Sequence, residues 1–153
     1  MELHTFVIPV YKKSPFLEEC ILSLKEQTSS SLIIITTSTP TDYSRDLALK
    51  YNILYLVNDK MDAGIAEDWN FALAQAPSRF VTLAHQDNLY ERTYTETVLN
   101  ALAGQDHLSP ILAFTGYSDL IGDKLRARSL NHLVKNVLLL PFHLKPAIQF
   151  KSI

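Results

Sequence analysis

Short apolar runs alternate along this chain with segments in which apolar residues recur every three or four positions. Each run has the length of a strand and is bounded by polar or turn-forming residues, which is typical of buried strands. Four such runs are followed by helical spacing, and a fifth run comes later in the chain. The predicted strands cover residues 4–10, 32–35, 53–57, 80–84 and 111–117.

The helices are predicted from apolar residues that share one face of a helix. Gly64 is predicted to open the third helix, in which one face carries Ile65, Trp69, Ala72, Leu73 and Ala76. Because Trp69 shares this face with Ile65 and Leu73, it is expected in the core. The residues that mark the other helices are Leu17, Cys20, Ile21 and Leu24; Tyr43, Leu47 and Tyr51; Tyr94, Val98 and Leu102; and Leu130, Leu133, Val134 and Val137.

This alternation of strands and helices predicts an α/β fold, with a mainly parallel open sheet and helices on both faces. We expect residues 1–120 to form the α/β domain, and residues 121–153 to begin a further region within the same compact unit. In a parallel sheet, every loop from a strand to its helix emerges at the same edge. Polar and acidic residues should therefore meet there, from the segments 9–11, 36–42, 58–64 and 85–90.

Composition narrows the classes of function. The chain has 153 residues, of which 47% are hydrophobic, and a formal net charge of −2, so no global positive field favours nucleic acid. The segment from Lys124 onward carries six Lys or Arg residues and no acid, and it is either a solvated face or a contact with an anionic membrane surface. A single cysteine, Cys20, excludes an internal disulfide and fits a reducing compartment. We expect a cytoplasmic protein, with peripheral contact at the inner face of the membrane as the alternative.

The end of the fourth strand carries the most informative chemistry. Residues 79–84 run into His85, Gln86, Asp87 and Asn88. A carboxylate at the carboxyl end of a buried strand faces the crevice in which open α/β sheets bind ligands. Such an acid can share a divalent cation with the diphosphate of a nucleotide, whereas a plain Asp-Asn turn is the alternative interpretation. The glycine-rich fingerprints of dinucleotide and P-loop sites are not in this sequence.

Several ordered segments make the chain similar to the family 2 glycosyltransferases, over roughly residues 5 to 120. All of these segments occur in the order in which the family has them. They are Val7-Ile8-Pro9-Val10-Tyr11; residues 17–24 followed by Gln27-Thr28; the Ile33-Ile34-Ile35 strand with a Ser/Thr-rich loop ending at Asp42; Gly64, Asn70 and Ala72; and His85-Gln86-Asp87-Asn88, which resembles the family's Asp-x-Asp motif.

The resemblance implies the glycosyltransferase-A fold and transfer of a sugar from a nucleoside diphosphate sugar to an acceptor hydroxyl. It implies a glycan or lipid-linked acceptor, as in bacterial-type synthesis of cell-surface polysaccharide or glycolipid, and no nucleic acid partner. A divalent cation, Mn²⁺ or Mg²⁺, would be held by Asp87, with His85 as a second candidate ligand. The residues implied in nucleotide binding are Pro9, Val10, Tyr11, Thr36, Thr37, Ser38, Gly64, Asn70 and Asp87.

The sequence also departs from the family's pattern. Thr36 and Thr37 stand where the family usually has an aspartate that contacts the base, and Trp69 stands where it often has an arginine. No acid follows Asp123, so the general base is unassigned; Asp119 and Asp123 are both predicted to lie in a loop after the fifth strand. We therefore expect the fold to be incomplete at its C-terminus.

Two other classes of function stay open. One is a non-catalytic module that binds a nucleotide sugar, which the missing base would suit. The other is a nucleotidyltransferase, which the sequence favours less, because the loop at residues 11–14 has no glycine.

Overall fold

The computed structural model describes residues 3–60 and 63–103 in full, together with the backbone of residues 119–121 and 124–126. The chain divides into two compact units, Met1–Ala103 and Gly104–Ile153. The predicted division at residue 120 stays a prediction. The strand predicted at 111–117 and the helix predicted from Leu130 lie outside the described residues. Among the residues described, no helix is both long and apolar enough to cross a membrane.

The first unit alternates four strands with four helices. These strands form one parallel sheet in the order β3-β2-β1-β4, which confirms the predicted α/β fold. The elements are β1 (His4–Pro9), α1 (Leu17–Lys25), β2 (Leu32–Thr37), α2 (Asp42–Lys50), β3 (Leu54–Val57), α3 (Ile65–Ala74), β4 (Phe80–Leu83) and α4 (Tyr94–Leu102).

In the second unit, β5 (Asp119–Ile121) pairs antiparallel with β6 (Lys124–Arg126). The prediction that Asp119 lies in a loop is therefore wrong, because Asp119 is the first residue of β5 and pairs with Arg126.

Strand β1 is the centre of the sheet. It pairs with β2 on one side and β4 on the other, so that Val7 stands level with both Ile34 and Leu83. The order of the strands reverses between β1 and β4, since β2 and β3 lie on one side of β1 and β4 on the other. All four strands run in the same direction, and their carboxyl ends form one edge, which we call the carboxyl edge.

The core has two layers of unequal depth. On one face of the sheet, Phe6, Ile8 and Ile35 pack with the buried residues of α1 and α2. On the other face, Val7 and Ile34 pack with Ala72 of α3. Alternate residues of β1 thus enter the two layers, and this double burial explains why β1 reads as a continuous apolar run.

The prediction that Trp69 lies in the core is wrong. The side chains of Ile65, Trp69 and Leu73 are 73%, 37% and 43% exposed, whereas Ala72 is fully buried. Of the apolar face predicted for α3, small Ala72 therefore packs against the sheet, whereas these three bulky residues do not. The Trp69 ring lies instead against the ring of His85 in an edge-on contact, with centroids 5.2 Å apart.

The segment between β4 and α4 runs beside α1 and is tied to it along its length. The Gln27 side chain donates to the carbonyls of Ser23 (3.0 Å) and Glu91 (2.8 Å), and its Oε1 accepts from the backbone N–H of Thr95 (3.0 Å) and its hydroxyl (3.1 Å). The N–H of Tyr90 donates to Ser23 Oγ at 3.2 Å. Gln27 therefore joins the end of α1 to the start of α4 through both ends of its amide.

His4 is a core histidine at the start of β1. Its ring nitrogens are 3.0 Å from Ser31 Oγ and 2.8 Å from Thr82 Oγ1, and its ring stands edge-on to Phe6. Burial lowers the pKa of His4 to about 4, because a charged imidazole would lose its hydration there. The side chain is therefore neutral at physiological pH.

His4 should make stability fall as the pH is lowered through the range between its two pKa values. The unfolded chain takes up a proton near pH 6.5, whereas the folded chain takes it up only near pH 4, so acid favours unfolding in that window. The loss approaches about 3 kcal/mol at pH 4 and vanishes above pH 7. Urea denaturation of the wild type and His4→Gln across pH 4–8 measures it. An unchanged slope in His4→Gln would contradict this assignment.

Gln27→Ala should lower the free energy of unfolding by about 2–3 kcal/mol, because it leaves several partly buried backbone groups without their partner. Gln75→Ala is the matched control. The Gln75 amide makes one helix-surface bond to the Phe71 carbonyl at 3.3 Å, so its loss should cost less than about 0.5 kcal/mol. Denaturant titration of both variants measures the difference. Equal losses in the two variants would show that Gln27 is an ordinary surface amide.

Candidate active site

A side-chain amide bridges the carboxyl edge at the point where the strand order reverses. The backbone N–H of Tyr11 donates to Gln86 Oε1 (3.3 Å), and Gln86 Nε2 donates to the Tyr11 carbonyl (3.2 Å). Tyr11 follows β1 and Gln86 follows β4, so one side chain replaces a further pair of ladder bonds between the two strand ends. Open α/β sheets bind their ligands in the crevice at such a point.

The next residue, Asp87, is exposed to solvent. The turn that carries it is fixed by the His85 carbonyl, which accepts the backbone N–H of Asn88 (3.2 Å) and the Cys20 thiol (3.4 Å). Burial and, to a smaller extent, the negative charge of Asp87 raise the pKa of Cys20 to about 12. The thiol therefore stays protonated and acts as a hydrogen-bond donor to this turn.

Tyr90 holds the other side of the same turn. Burial, followed by the effect of Cys20, raises the pKa of Tyr90 to about 12, and hydrogen bonds with the Asn88 side chain and the His85 backbone oppose that rise only in part. Asp87 is left as the carboxylate of this turn that faces solvent.

The loop after β1 is linked to the loop after β2. The N–H of Lys12 donates to Thr39 Oγ1 at 2.7 Å, and Lys12 has a φ of 55°, in the left-handed region that non-glycine residues seldom adopt. Its ammonium lies 4.9 Å from the centroid of the Tyr11 ring, and Tyr11 itself is 55% exposed. An exposed aromatic ring and a cation therefore stand together beside the strand reversal.

Three of the residues predicted to bind nucleotide lie below the surface. Val10, Thr36 and Thr37 are each at most 2% exposed. The N–H of Val10 donates to the Thr36 carbonyl at 2.7 Å, and Thr37 Oγ1 accepts the N–H of Thr39 at 3.0 Å. Thr36 Oγ1 has no hydrogen-bond partner among the residues that the structure describes. Contacts of these residues with a ligand stay predictions, as does that of Pro9 at the end of β1.

Gly64 and Asn70 lie at two different places on α3. Gly64 is the N-cap of the helix, as predicted, and its N–H donates to Glu67 Oε2 at 3.1 Å. The pKa of Glu67 is lowered by a hydrogen bond from its own backbone N–H and then by the charge of Lys60. Asn70 is exposed and stands about 200° around the helix from buried Ala72, so α3 turns it away from the sheet.

The sequence did not reveal Asp68, which the structure brings to the ends of two strands. Asp68 Oδ2 accepts the hydroxyl of Ser38, after β2, at 2.6 Å, and Oδ1 accepts the amide of Asn58, after β3, at 2.9 Å. Its position in the sequence would have indicated it, because Asp68 lies one turn before Ala72, on the sheet-facing side of a helix that begins at this edge. Gln86 was missed as well, because an amide between His and Asp carries no pattern of its own.

The donor set at Asp87 fits a cation that arrives with a diphosphate. Within the described ranges, no three His, Cys, Asp or Glu residues are close enough to hold a metal ion by themselves. Mg²⁺ and similar cations are, however, usually held by one or two carboxylates together with phosphate oxygens. Asp87 meets that requirement. The His85 imidazole is exposed beside Trp69 and is a second candidate ligand, through a ring nitrogen of the kind that Mn²⁺ accepts.

Two known glycosyltransferases are similar in sequence to this chain. The chain is 23% identical over 110 residues to the glycosyltransferase GlyG and 27% identical over 100 residues to the glycosyltransferase GlyA, both of Streptococcus pneumoniae serotype 4 (strain ATCC BAA-334 / TIGR4). These matches cover 69% and 61% of this chain, but 36% and 14% of the relatives. The chain thus spans about a third or less of their length.

Solved structures share the fold. The mannosyltransferase PcManGT from Pyrobaculum calidifontis, in complex with GDP-Man and Mn²⁺, superposes with a TM-score of 0.58 at 20% identity, over 67% of this chain and 33% of its own. S. aureus TarS gives a TM-score of 0.61 at 19% identity, over 72% of this chain and 21% of its own. The sequence matches the family described as Glycosyl transferase family 2 over residues 5–149, which is nearly its whole length. The chain belongs to glycosyl transferase family 2.

Proposed function

We propose that this chain binds a nucleoside diphosphate sugar at its carboxyl edge and takes part in transfer of the sugar to an acceptor hydroxyl. The observation that carries the proposal is the Gln86 bridge to Tyr11, which sets the exposed Asp87 carboxylate at the strand reversal. Family membership supports the same assignment. Two of the neighbouring structures were solved with GDP-Man and Mn²⁺ and with UDP, and these ligands define the class of donor that we propose.

The transfer reaction needs a group that stabilises the charge of the leaving diphosphate and a base that takes the proton of the acceptor hydroxyl. As the acceptor oxygen attacks the anomeric carbon, the bond from that carbon to the diphosphate breaks, and negative charge grows on the leaving group. A bound cation would supply Lewis-acid stabilisation of that charge, held by Asp87 with His85 beside it. The role of Tyr11 is to cover the nucleotide with an exposed ring, and the Gln86 bridge keeps the two strand ends at a fixed separation. The acceptor proton passes to a general base, which is not assigned.

We further propose a glycan or lipid-linked acceptor, in synthesis of cell-surface polysaccharide or glycolipid, on the cytoplasmic side of the membrane. The basic segment from Lys124 onward supports peripheral contact with anionic lipid.

A non-catalytic module that binds a nucleotide sugar is the second candidate. The observation in its favour is that the sequence has no acid after Asp123 that would serve as a base. Binding of nucleotide does not separate this module from a transferase, whereas formation of product does.

Asp87→Asn should weaken nucleotide binding in the presence of Mn²⁺ about tenfold or more, because the neutral amide is a poorer ligand for a cation shared with the diphosphate. In wild type without metal, affinity should also fall, since Asp87 then meets the diphosphate as a like charge. Titration calorimetry with UDP and GDP, with and without Mn²⁺, measures both effects.

Asp46→Asn is the control for this experiment, because Asp46 is exposed on α2 and its substitution should change neither affinity nor Tm. The Tm of Asp87→Asn should stay within a few degrees of wild type, about the shift that a surface substitution causes. Equal affinity of wild type and Asp87→Asn, or no dependence on metal, would remove Asp87 from the site.

Sugar transfer is tested with radiolabelled UDP- and GDP-sugars, Mn²⁺ and a panel of glycan and lipid-linked acceptors. We expect little or no labelled product from the 153-residue chain, because no acid follows Asp123 to serve as a general base. Any transfer that is measured should fall about a hundredfold in Asp87→Asn, of the order found when an electrostatic contact to a leaving group is removed. Multiple-turnover transfer by the wild type would contradict the first expectation and exclude the non-catalytic module.

A further inference from the structure

Three side chains from separate elements form a polar cluster on the β2–β3 side of the carboxyl edge. They are Ser38 after β2, Asn58 after β3 and Asp68 on α3, and we call them the Asp68 cluster. Ser38 donates to one carboxylate oxygen at 2.6 Å and Asn58 to the other at 2.9 Å. Both donors are neutral, so the cluster keeps the negative charge of the carboxylate.

The carboxylate has hydrogen-bonding capacity left over. Each oxygen of an ionised carboxyl group has two lone pairs, and each oxygen of Asp68 receives one of these two bonds. Asp68 is only partly buried, whereas Asn58 is 8% exposed. A ligand at the edge can therefore reach Asp68 from above and offer it further N–H or O–H donors.

A second observation points to the same place. The hydroxyl of Thr36 belongs to a side chain that is 1% exposed, and within the described part of the chain it has no hydrogen-bond partner. Leaving such a buried group unpaired destabilises the fold unless a ligand or water supplies the partner. Thr36 lies two residues beyond Ile34 on the face of β2 that α3 covers, and Ile34 packs with Ala72.

Helix α3 runs antiparallel to the strands. The step of one turn from Ala72 to Asp68 and the step of two residues from Ile34 to Thr36 therefore both lead toward the carboxyl edge. The two steps are about 5.4 Å and 6.6 Å long. Asp68 and Thr36 therefore lie at about the same level along the strands, on the face of the sheet that α3 covers.

The spacing between the two acids matches one extended ligand. Asp68 bridges the ends of β2 and β3, and Asp87 follows β4, with β1 between. With about 4.8 Å between neighbouring strands, the two carboxylates are separated by about 12 Å along the edge. That is the scale of an extended nucleoside diphosphate measured from its nucleoside to its second phosphate.

We propose that Asp68 is a specificity-determining residue that accepts a hydrogen bond from the nucleoside of the donor, from a ribose hydroxyl or a base N–H. The inference rests on the proposed function, because it assumes that the diphosphate lies at Asp87. The neutral donors of the nucleoside suit a carboxylate, whereas the diphosphate would meet Asp68 as a like charge. Ribose hydroxyls and base N–H groups are both neutral hydrogen-bond donors, and the experiment below distinguishes between them.

The test is calorimetry on the full 153-residue chain with Mn²⁺, using UDP or GDP, whichever binds wild type more tightly. Asp68→Asn should lower the affinity for that nucleotide about tenfold, the loss typical of one charge-assisted hydrogen bond. The 2′-deoxy analogue and the analogue methylated at the base N–H then identify the partner. Wild type should discriminate against one of them, and Asp68→Asn should lose that discrimination.

Inorganic diphosphate with Mn²⁺ is the control ligand, since it reaches only the Asp87 end, and its affinity should be the same in wild type and Asp68→Asn. Asp46→Asn is the control variant and should bind every ligand as wild type does. If Asp68→Asn does not fold, Asp68→Ser takes its place: it also removes the carboxylate and should lose the discrimination in the same way.

Four results would overturn the inference. Unchanged nucleotide affinity in Asp68→Asn removes Asp68 from the site. An equal loss for nucleotide and for inorganic diphosphate makes the Asp68 cluster a structural clip. If neither UDP nor GDP binds wild type, the proposed function fails and this inference fails with it. If wild type binds nucleotide with metal but Asp68→Asn keeps the discrimination, the inference alone fails.

Discussion

The sheet depends on the pairing of β1 along both of its edges. Its backbone bonds to β2 and to β4 fix the register of all three strands, and its side chains fill both layers of the core. Because Pro9 stands level with Thr36 and Val7 with Leu83, the loops after these strands begin at almost the same height. The carboxyl edge, with its loops from distant parts of the chain, is a consequence of that register.

The two faces of the sheet differ in the depth of their apolar layer and in the segments that they contact. The face covered by α1 and α2 is a deep apolar layer, and it also holds the segment after β4, through Cys20, Ser23 and Gln27. The face covered by α3 is a thin layer in which Ala72 is the buried contact of the helix. A small residue brings the helix backbone close to the sheet, and that closeness lets Asp68 reach the ends of β2 and β3.

The sequence was sufficient for the order and type of the elements of the first unit, because period and length carry that information, but it did not predict the β5–β6 pair. The strand from His4, the helix opened by Gly64 and the turn with Asp87 all stand where the pattern places them. The sequence was not sufficient to predict which residues of α3 pack against the sheet. The apolar pattern selects a face with Ile65, Trp69, Ala72 and Leu73, but small Ala72 is the member of that face that is buried against the sheet. Polar Asp68, about 40° around the helix from Ala72, lies on the same side.

The same limit applies to the candidate site. Pattern reasoning finds a carboxylate that ends a strand, because the strand itself marks the position of Asp87. It does not find Gln86, whose partner Tyr11 is 75 residues earlier, nor Asp68, whose partner Ser38 is 30 residues earlier. These contacts exist only when β1, β2 and β4 have paired and α3 has docked. They are therefore properties of the tertiary structure, and local periodicity does not carry them.

The distribution of charge along the edge gives the proposed site a direction. Two carboxylates about 12 Å apart are farther from each other than the screening length of about 8 Å at physiological salt, so each acts on its own surroundings. A ligand with an anionic end and a neutral, donor-rich end has one favourable orientation between them. With a cation present, the anionic end is attracted to Asp87, and the neutral end meets Asp68. In the reverse orientation, the diphosphate would face Asp68 without a cation, and the nucleoside would face a cation without phosphate oxygens. Orientation would thus follow from charge, before any shape of the pocket is considered.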